Sequence, residues 1–444
     1  MNDDNQPPAG NQSARRMKIR RRRFLRTAAA AALTLSGASA RSLADNRKSA
    51  QRSRKNFDVI VVGLGAIGSA SLYWLSRRLG SNVLGIEQFP LGHSNGSGQD
   101  HSRSISYAYE QTSLARLAVS AFETWREVEA DQHSSILQET GGLVFGEVDG
   151  IYNDSMDRLA GKLGELGLPY ELWDSTEAMR RYPQFRFRDN IRSIFLPEDA
   201  LVDANKGNAA HICGAVRNGA RMMAETPVVD IRIVDGGIAV ETDDDVFECQ
   251  HLVLTAGAWS PGFLKKLGFE LELSIYEVQQ TYFVPDDLDR FAIGRFPRFS
   301  YKSPNILHGF PVYGEAAVKA GLSDKNLNRK IEIGERTFAV NQEAERRLNE
   351  WLDQWIPGFA KSVFYTKPCI VTRPPDSRCI ADSLPDCPQI SFAVGAGMAY
   401  KFASLFGKVF SQIAIDGRTD YDISSVSFSR SGLSNKQAMQ NGDI

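Results

Sequence analysis

The sequence is poor in the residues that build metal sites and disulfide frameworks. Five cysteines occur in 444 residues, Cys213, Cys249, Cys369, Cys379 and Cys387, a sparse and odd-numbered set. No two of them have C-x-x-C spacing, and the six histidines lack the spacing of metal ligands, so no metal is expected. Internal repeats are absent. Past residue 40 no run is long and apolar enough to span a bilayer. Excess positive charge is missing too. The net charge is −1, and residues 1–40 hold eight Lys/Arg against two Asp, which leaves −7 for the remainder. An acidic body argues against a nucleic-acid partner. With 42 % hydrophobic and 24 % charged residues, there is ample material for a large globular core.

What is there begins with a leader. Arg20–Arg23 form a charged segment, Thr27–Gly37 a weakly apolar one, and Ala38-Ser39-Ala40 a small-residue cleavage site. A spanning helix needs roughly 20 apolar residues, and this run is about half that. Arg21-Arg22-Arg23-Phe24-Leu25-Arg26 resembles the twin-arginine export signal. The alternative is a disordered basic arm, which gives no reason for the Phe-Leu or for the A-x-A ending. Twin-arginine export carries proteins already folded, usually around a cofactor. The implied route is export to the periplasm through the twin-arginine machinery.

A polar linker, 41–56, leads to Phe57-Asp58-Val59-Ile60-Val61-Val62 and then Gly63-Leu64-Gly65-Ala66-Ile67-Gly68. Four branched residues in a row predict a strand buried on both faces. Gly63, Gly65 and Gly68 have G-x-G-x-x-G spacing, which permits a tight turn, close approach of a pyrophosphate and helix–strand packing. A helix is expected over Ser69–Leu79, and Val83-Leu84-Gly85-Ile86 reads as a second strand ending at Glu87. An acid at that point can accept hydrogen bonds from a ribose, which suits NAD or FAD. Two more glycine turns follow strands, at Thr255-Ala256-Gly257-Ala258-Trp259-Ser260 and at Gly395-Ala396-Gly397-Met398-Ala399-Tyr400-Lys401. The second opens a helix expected to run to about Ile415. Three separated glycine turns, with a polar loop over residues 87–97, suit an extended FAD better than NAD.

From about Phe57 to Arg430 the chain resembles the monomeric sarcosine oxidase family, which includes N-methyltryptophan, pipecolate and fructosyl-amino-acid oxidases. The loop after Glu87, the Gly-Ala-Trp-Ser turn, Lys367-Pro368-Cys369-Ile370-Val371-Thr372-Arg373-Pro374-Pro375-Asp376, the late Lys401 and the tail Gly417–Ile423 carry the resemblance. It implies FAD, bonded covalently to the sulfur of Cys369. It also implies contacts from Ser97, Arg103, Val228, Gly257, Trp259, Gly395, Gly397 and Met398. Lys319 interrupts an otherwise apolar strand, so it either points to solvent or is held inside for a purpose. By resemblance it faces the flavin and assists oxygen reduction, where a fixed positive charge stabilises superoxide. Lys401 follows a glycine turn at a helix start, where negative charge is favoured. By resemblance its side chain meets the substrate carboxylate. Lys319, Lys401 and Arg103 are the expected catalytic residues. His101 reads as structural.

There are departures. Where the sarcosine-type pattern has a second arginine, an aromatic and two histidines, this chain has Ser106, Val371, Met398 and Ser323. The flavin machinery is expected intact and the substrate wall altered, with a larger and less polar pocket.

The fold class implied is α/β: a discontinuous FAD-binding, Rossmann-like domain of the glutathione-reductase type, with a second, mixed-sheet α+β substrate domain. Expected boundaries are 57–135, 195–272 and 364–430 for the first, 136–194 and 273–363 for the second, and 431–444 for a tail. The expected reaction is oxidation of a secondary amine or amino acid to an imine, with O2 reduced to H2O2. The alternatives are a dehydrogenase passing electrons to a membrane carrier, and a flavin-fold binding protein that has lost turnover.

Overall fold

The computed structural model describes residues 54–98, 100–148, 153–303, 305–324, 326–430 and 433. The leader, the linker as far as residue 53 and nearly all of the tail lie outside them. No helix among the described residues is long and apolar enough to cross a membrane.

The first strand, Arg54–Val62, sits centrally in an eight-stranded sheet. It runs parallel to Val83–Ile86 on one side and to Val246–Leu254 on the other. Its side chains alternate between two cores. Val59 and Val61 join the cluster under the helices, while Ile60 and Val62 join a second cluster with Leu252, Leu254 and Phe392. Burial on both faces is what the unbroken branched run required. Arg221–Met223 and Cys387–Val394 extend the parallel part, and Val228–Val234 with Gly237–Thr242 add an antiparallel edge. The helix Ala66–Leu79 begins three residues earlier than Ser69, directly after Gly65. The late helix is divided: a 3-10 turn, Ala399–Phe402, precedes Ala403–Asp416.

A nine-stranded mixed sheet forms the second layer. Its long members, Ser274–Val284 and Ser362–Arg373, are antiparallel over their whole length. Residues 364–373, assigned by sequence to the nucleotide-binding segments, therefore belong to this sheet. One face packs Phe145, Phe283, Phe299, Leu307, Val318 and Ala320 against Leu348, Leu352 and Trp355 of the helix Gln342–Trp355. Asn341 caps that helix, its side chain accepting from the Ala344 N–H at 3.1 Å. A small sheet, Arg103–Ile105, Ala200–Val202 and Leu137–Glu139, completes the strands.

Candidate active site

The carboxyl ends of the central parallel strands open on a cavity of about 1270 Å³. It is larger than the usual small-molecule site of roughly 300–1,000 Å³, with room for a dinucleotide and a substrate together. At one region lie Gly63, Gly65, Glu87, Val228, Gly257 and Trp259. Gly63 holds φ +88°, and a Cβ there would stand 2.7 Å from the Thr255 carbonyl oxygen, so no other residue fits the turn. Gly68 does not border the cavity. A Cβ on it would fall 1.8 Å from the Gly63 carbonyl oxygen, so its absence lets the helix dock on the loop. The helix start at Gly65 has no side-chain cap, and Gly65, Ala66 and Ile67 line the cavity. Its first N–H groups are available to an anion.

Glu87 is buried. Its carboxylate accepts from the Leu64 N–H at 2.8 Å and the Phe89 N–H at 3.0 Å, and His93 stands 3.5 Å away. Burial opposes its charge, but His93 and the two N–H groups outweigh burial and hold the carboxyl below its ordinary range.

The other wall is one face of the nine-stranded sheet. Opposed residues of antiparallel strands project to the same face, and alternate residues along a strand do too. Cys369 opposes Val278, and Lys319 opposes Tyr282, four residues further along the same strand. Phe310 opposes Lys319 from the other side, and His308 opposes Ser300, which shares its face with Arg298. Hence Cys369, Lys319, Phe310, His308 and Arg298 project together, and all five line the cavity.

Lys319 is held inside rather than exposed to solvent. Its side chain is 3 % exposed, and its ammonium lies 2.7 Å from Asp100 and donates to the Ser102 carbonyl at 2.6 Å. Arg103 donates to the same Asp100 at 2.7 Å and to the Ser97 carbonyl at 3.1 Å, and the Tyr282 hydroxyl donates to Asp100 as well. Burial works against the Asp100 carboxylate, yet Lys319 and Arg103 overcome it and hold its pKa far below normal. Burial pulls the Lys319 ammonium down to about 8, with Asp100 resisting. Burial raises the Cys369 thiol, and Arg103 is the charge that most eases it. The thiol forms no disulfide. Ser97 donates from its hydroxyl to the Ile370 carbonyl, joining the Glu87 loop to the cysteine strand.

Lys401 lies in the 3-10 turn rather than in the first turn of the following helix. Its ammonium donates to the Tyr109 hydroxyl at 2.6 Å, and burial pulls it down to about 8. Gly395, Gly397 and Met398 line the cavity beside it. His101 stands apart, 3.0 Å from Glu315 at a half-exposed position.

Residues 58–413 match the sequence profile of the FAD dependent oxidoreductases. The chain is a member of the FAD dependent oxidoreductase family. Its relatives include a monomeric sarcosine oxidase from an Arthrobacter species, 30 % identical over 87 % of this chain and 99 % of that one. An N-methyl-L-tryptophan oxidase from Yersinia pestis is 26 % identical over 84 % of this chain and 99 % of its own. Among solved structures, NikD, an unusual amino acid oxidase essential for nikkomycin biosynthesis, superposes with a TM-score of 0.74 at 24 % identity, over 84 % of this chain and 97 % of that one. That likeness bears on the fold.

The residues of this oxidoreductase fit FAD. An uncapped helix start, a glycine turn that only glycine can make, and a buried ionised Glu87 stand along one continuous cavity with the Cys369 wall. Sequence reasoning missed Asp100, Tyr282, Tyr109, His308 and Arg298. Arg298 carried no signal like that of Lys319, since it opens the strand Arg298–Tyr301 rather than interrupting one.

Proposed function

We propose that this protein oxidises a secondary amine or amino acid, of N-methyl or cyclic type, at the carbon–nitrogen bond to an imine, with O2 leaving as H2O2. The observation that carries this reading is the shared sheet face that sets Lys319 and Cys369 against one cavity. FAD, when bound, supplies the two-electron acceptor for the C–H bond beside nitrogen. The chain's own residues provide the environment. Burial, followed by Lys319, Arg103, Arg298 and Lys401, pushes the His308 imidazole down to about 3. The same field lowers the pKa of a substrate ammonium and leaves the amine neutral, with its lone pair available. Lys319 provides a fixed cation for charge developing on oxygen. Lys401, with Tyr109, orients an anionic end of the substrate. Once released, the imine is hydrolysed by water.

A covalent link between the Cys369 sulfur and FAD belongs to this proposal. The half-exposed thiol lines the cavity and is near Arg103, Lys319 and Arg336. Acid precipitation of the purified protein tests it. The yellow colour should stay with the pellet, and in Cys369→Ala it should pass to the supernatant. Colour in the supernatant of the unaltered protein would rule the link out, and a colourless protein would count against FAD itself. We also propose periplasmic export through the twin-arginine machinery, supported by Arg21-Arg22-Arg23-Phe24-Leu25-Arg26. Replacing Arg21 and Arg22 by lysine should retain the folded flavoprotein in the cytoplasmic fraction. Unchanged export of that variant would exclude the route.

A further inference from the structure

Lys319, Arg103, Lys401 and Arg298 are among the cations that line the cavity wall. The first two are matched by Asp100. The other two are not matched in the same way. Arg298 is 5 % exposed and is paired with the fully buried Asp199, its terminal nitrogen donating to one carboxylate oxygen. Its Nε has no hydrogen-bond partner among the described residues, and neither does the second oxygen of Asp199. Among the described residues, the hydrogen-bond partner of the Lys401 ammonium is a neutral group, the Tyr109 hydroxyl. One carboxylate thus serves the buried Arg298 and the half-buried Lys401, and the set keeps a net positive charge. Isolated buried charge is costly unless an opposite charge completes the site.

Geometry puts the two cations together. Arg298 projects from the cavity face of the nine-stranded sheet, and Lys401 comes from the 3-10 turn after the glycine loop of the first sheet. After burial, Arg298 is the group that most affects Lys401, and it also acts on Tyr109. Ser106 lines the cavity too, beside the Asp199 carboxylate that pairs with Arg298.

We propose that Arg298 is a specificity-determining residue, whose guanidinium joins the Lys401 ammonium in holding the carboxylate of an amino-acid substrate. The substrate class is then an amino acid rather than a simple amine. The carboxylate supplies the missing negative charge, and Asp199 fixes the guanidinium from behind. This rests on the oxidase reading, and the two fail separately.

The test uses the holo-protein and two probes of equal shape, phenylacetate and neutral phenylacetamide. Binding is read from the visible flavin spectrum and from protection against thermal unfolding. The unaltered protein should prefer phenylacetate. Arg298→Met should weaken phenylacetate by about tenfold or more while phenylacetamide stays within about twofold. For an N-methyl amino acid the loss should fall mainly on KM, and its decarboxylated amine should be spared. Because Arg298→Met leaves Asp199 unpaired, the double variant Asp199→Asn, Arg298→Met removes both halves of the buried pair and should show the same loss of preference. Equal phenylacetate affinity in the unaltered protein and in both variants overturns the proposal, as does absence of any carboxylate preference in the unaltered protein. Binding alone decides the role of Arg298, so failure to oxidise any amine sinks the functional reading without touching this one.

Discussion

Replacing Lys319 by methionine should slow the reaction with oxygen and little else. Lys319, Arg103 and Asp100 form a cluster with one surplus positive charge, and the methionine removes that surplus. A unit charge about 5 Å from a developing anion, at an effective dielectric near 20, contributes roughly 3 kcal/mol, or a factor of roughly 10² in rate. Arg103 stays on Asp100, so the carboxylate is not stranded and the fold should survive. Stopped-flow spectroscopy separates the half-reactions. Anaerobic bleaching by substrate should change by less than about threefold, whereas return of the colour on mixing with O2 should slow by about a hundredfold. A variant that recovers its colour at the unaltered rate would refute the assignment of Lys319 to the oxygen step.

Two further outcomes follow from the same geometry. Gly68→Ala brings a methyl to within 1.8 Å of the Gly63 carbonyl oxygen and 2.6 Å of the Thr255 hydroxyl. It should cost about 1–3 kcal/mol in thermal unfolding and lower flavin content, whereas Gly334→Ala, with open space around it, should do neither. Normal flavin loading in Gly68→Ala would contradict the packing described. The pH dependence has a defined sign. Burial holds Lys319 and Lys401 at about 8 against an ordinary 10.5. Their charges are present below that pH and lost as it rises through about 8. Carboxylate affinity and the oxygen reaction should both weaken on the alkaline side. The unfolded chain binds more protons in that window, so stability rises with pH as the burial penalty of these charges is relieved, and unfolding would not explain the loss. A flat profile from pH 7 to about 10 would remove both lysines from these roles.

Much of the nucleotide region was legible in the sequence because its constraints are local. A branched strand, three spaced glycines and a terminal acid lie within residues 57–87, and each demands a particular backbone. The onset of the helix was misplaced because Ala66 and Ile67 read as part of the glycine loop. Lys319 was legible because a charge inside an apolar strand needs a reason, whereas Arg298 opens its strand after Pro297 and reads as an ordinary strand-end charge. Asp100 was not, since in a run of serines and glycines it looks like surface. It is buried by Tyr282 and Lys319, nearly two hundred residues away or more. The cysteine strand went to the wrong layer for a related reason: nothing near Cys369 announces its pairing with Ser274–Val284, which is a long-range event.

That pairing has a consequence for how the protein can change. Ser274–Val284 meets the Lys319 strand on one edge and the Cys369 strand on the other. Deleting or inserting a single residue between Val278 and Tyr282 would turn one partner toward the helix side while the other stayed at the cavity. Loops at either end of that strand can lengthen freely, but those five positions form a ruler whose length cannot vary. Lineages that altered the substrate wall would have had to do so by exchanging side chains, never by shifting this strand.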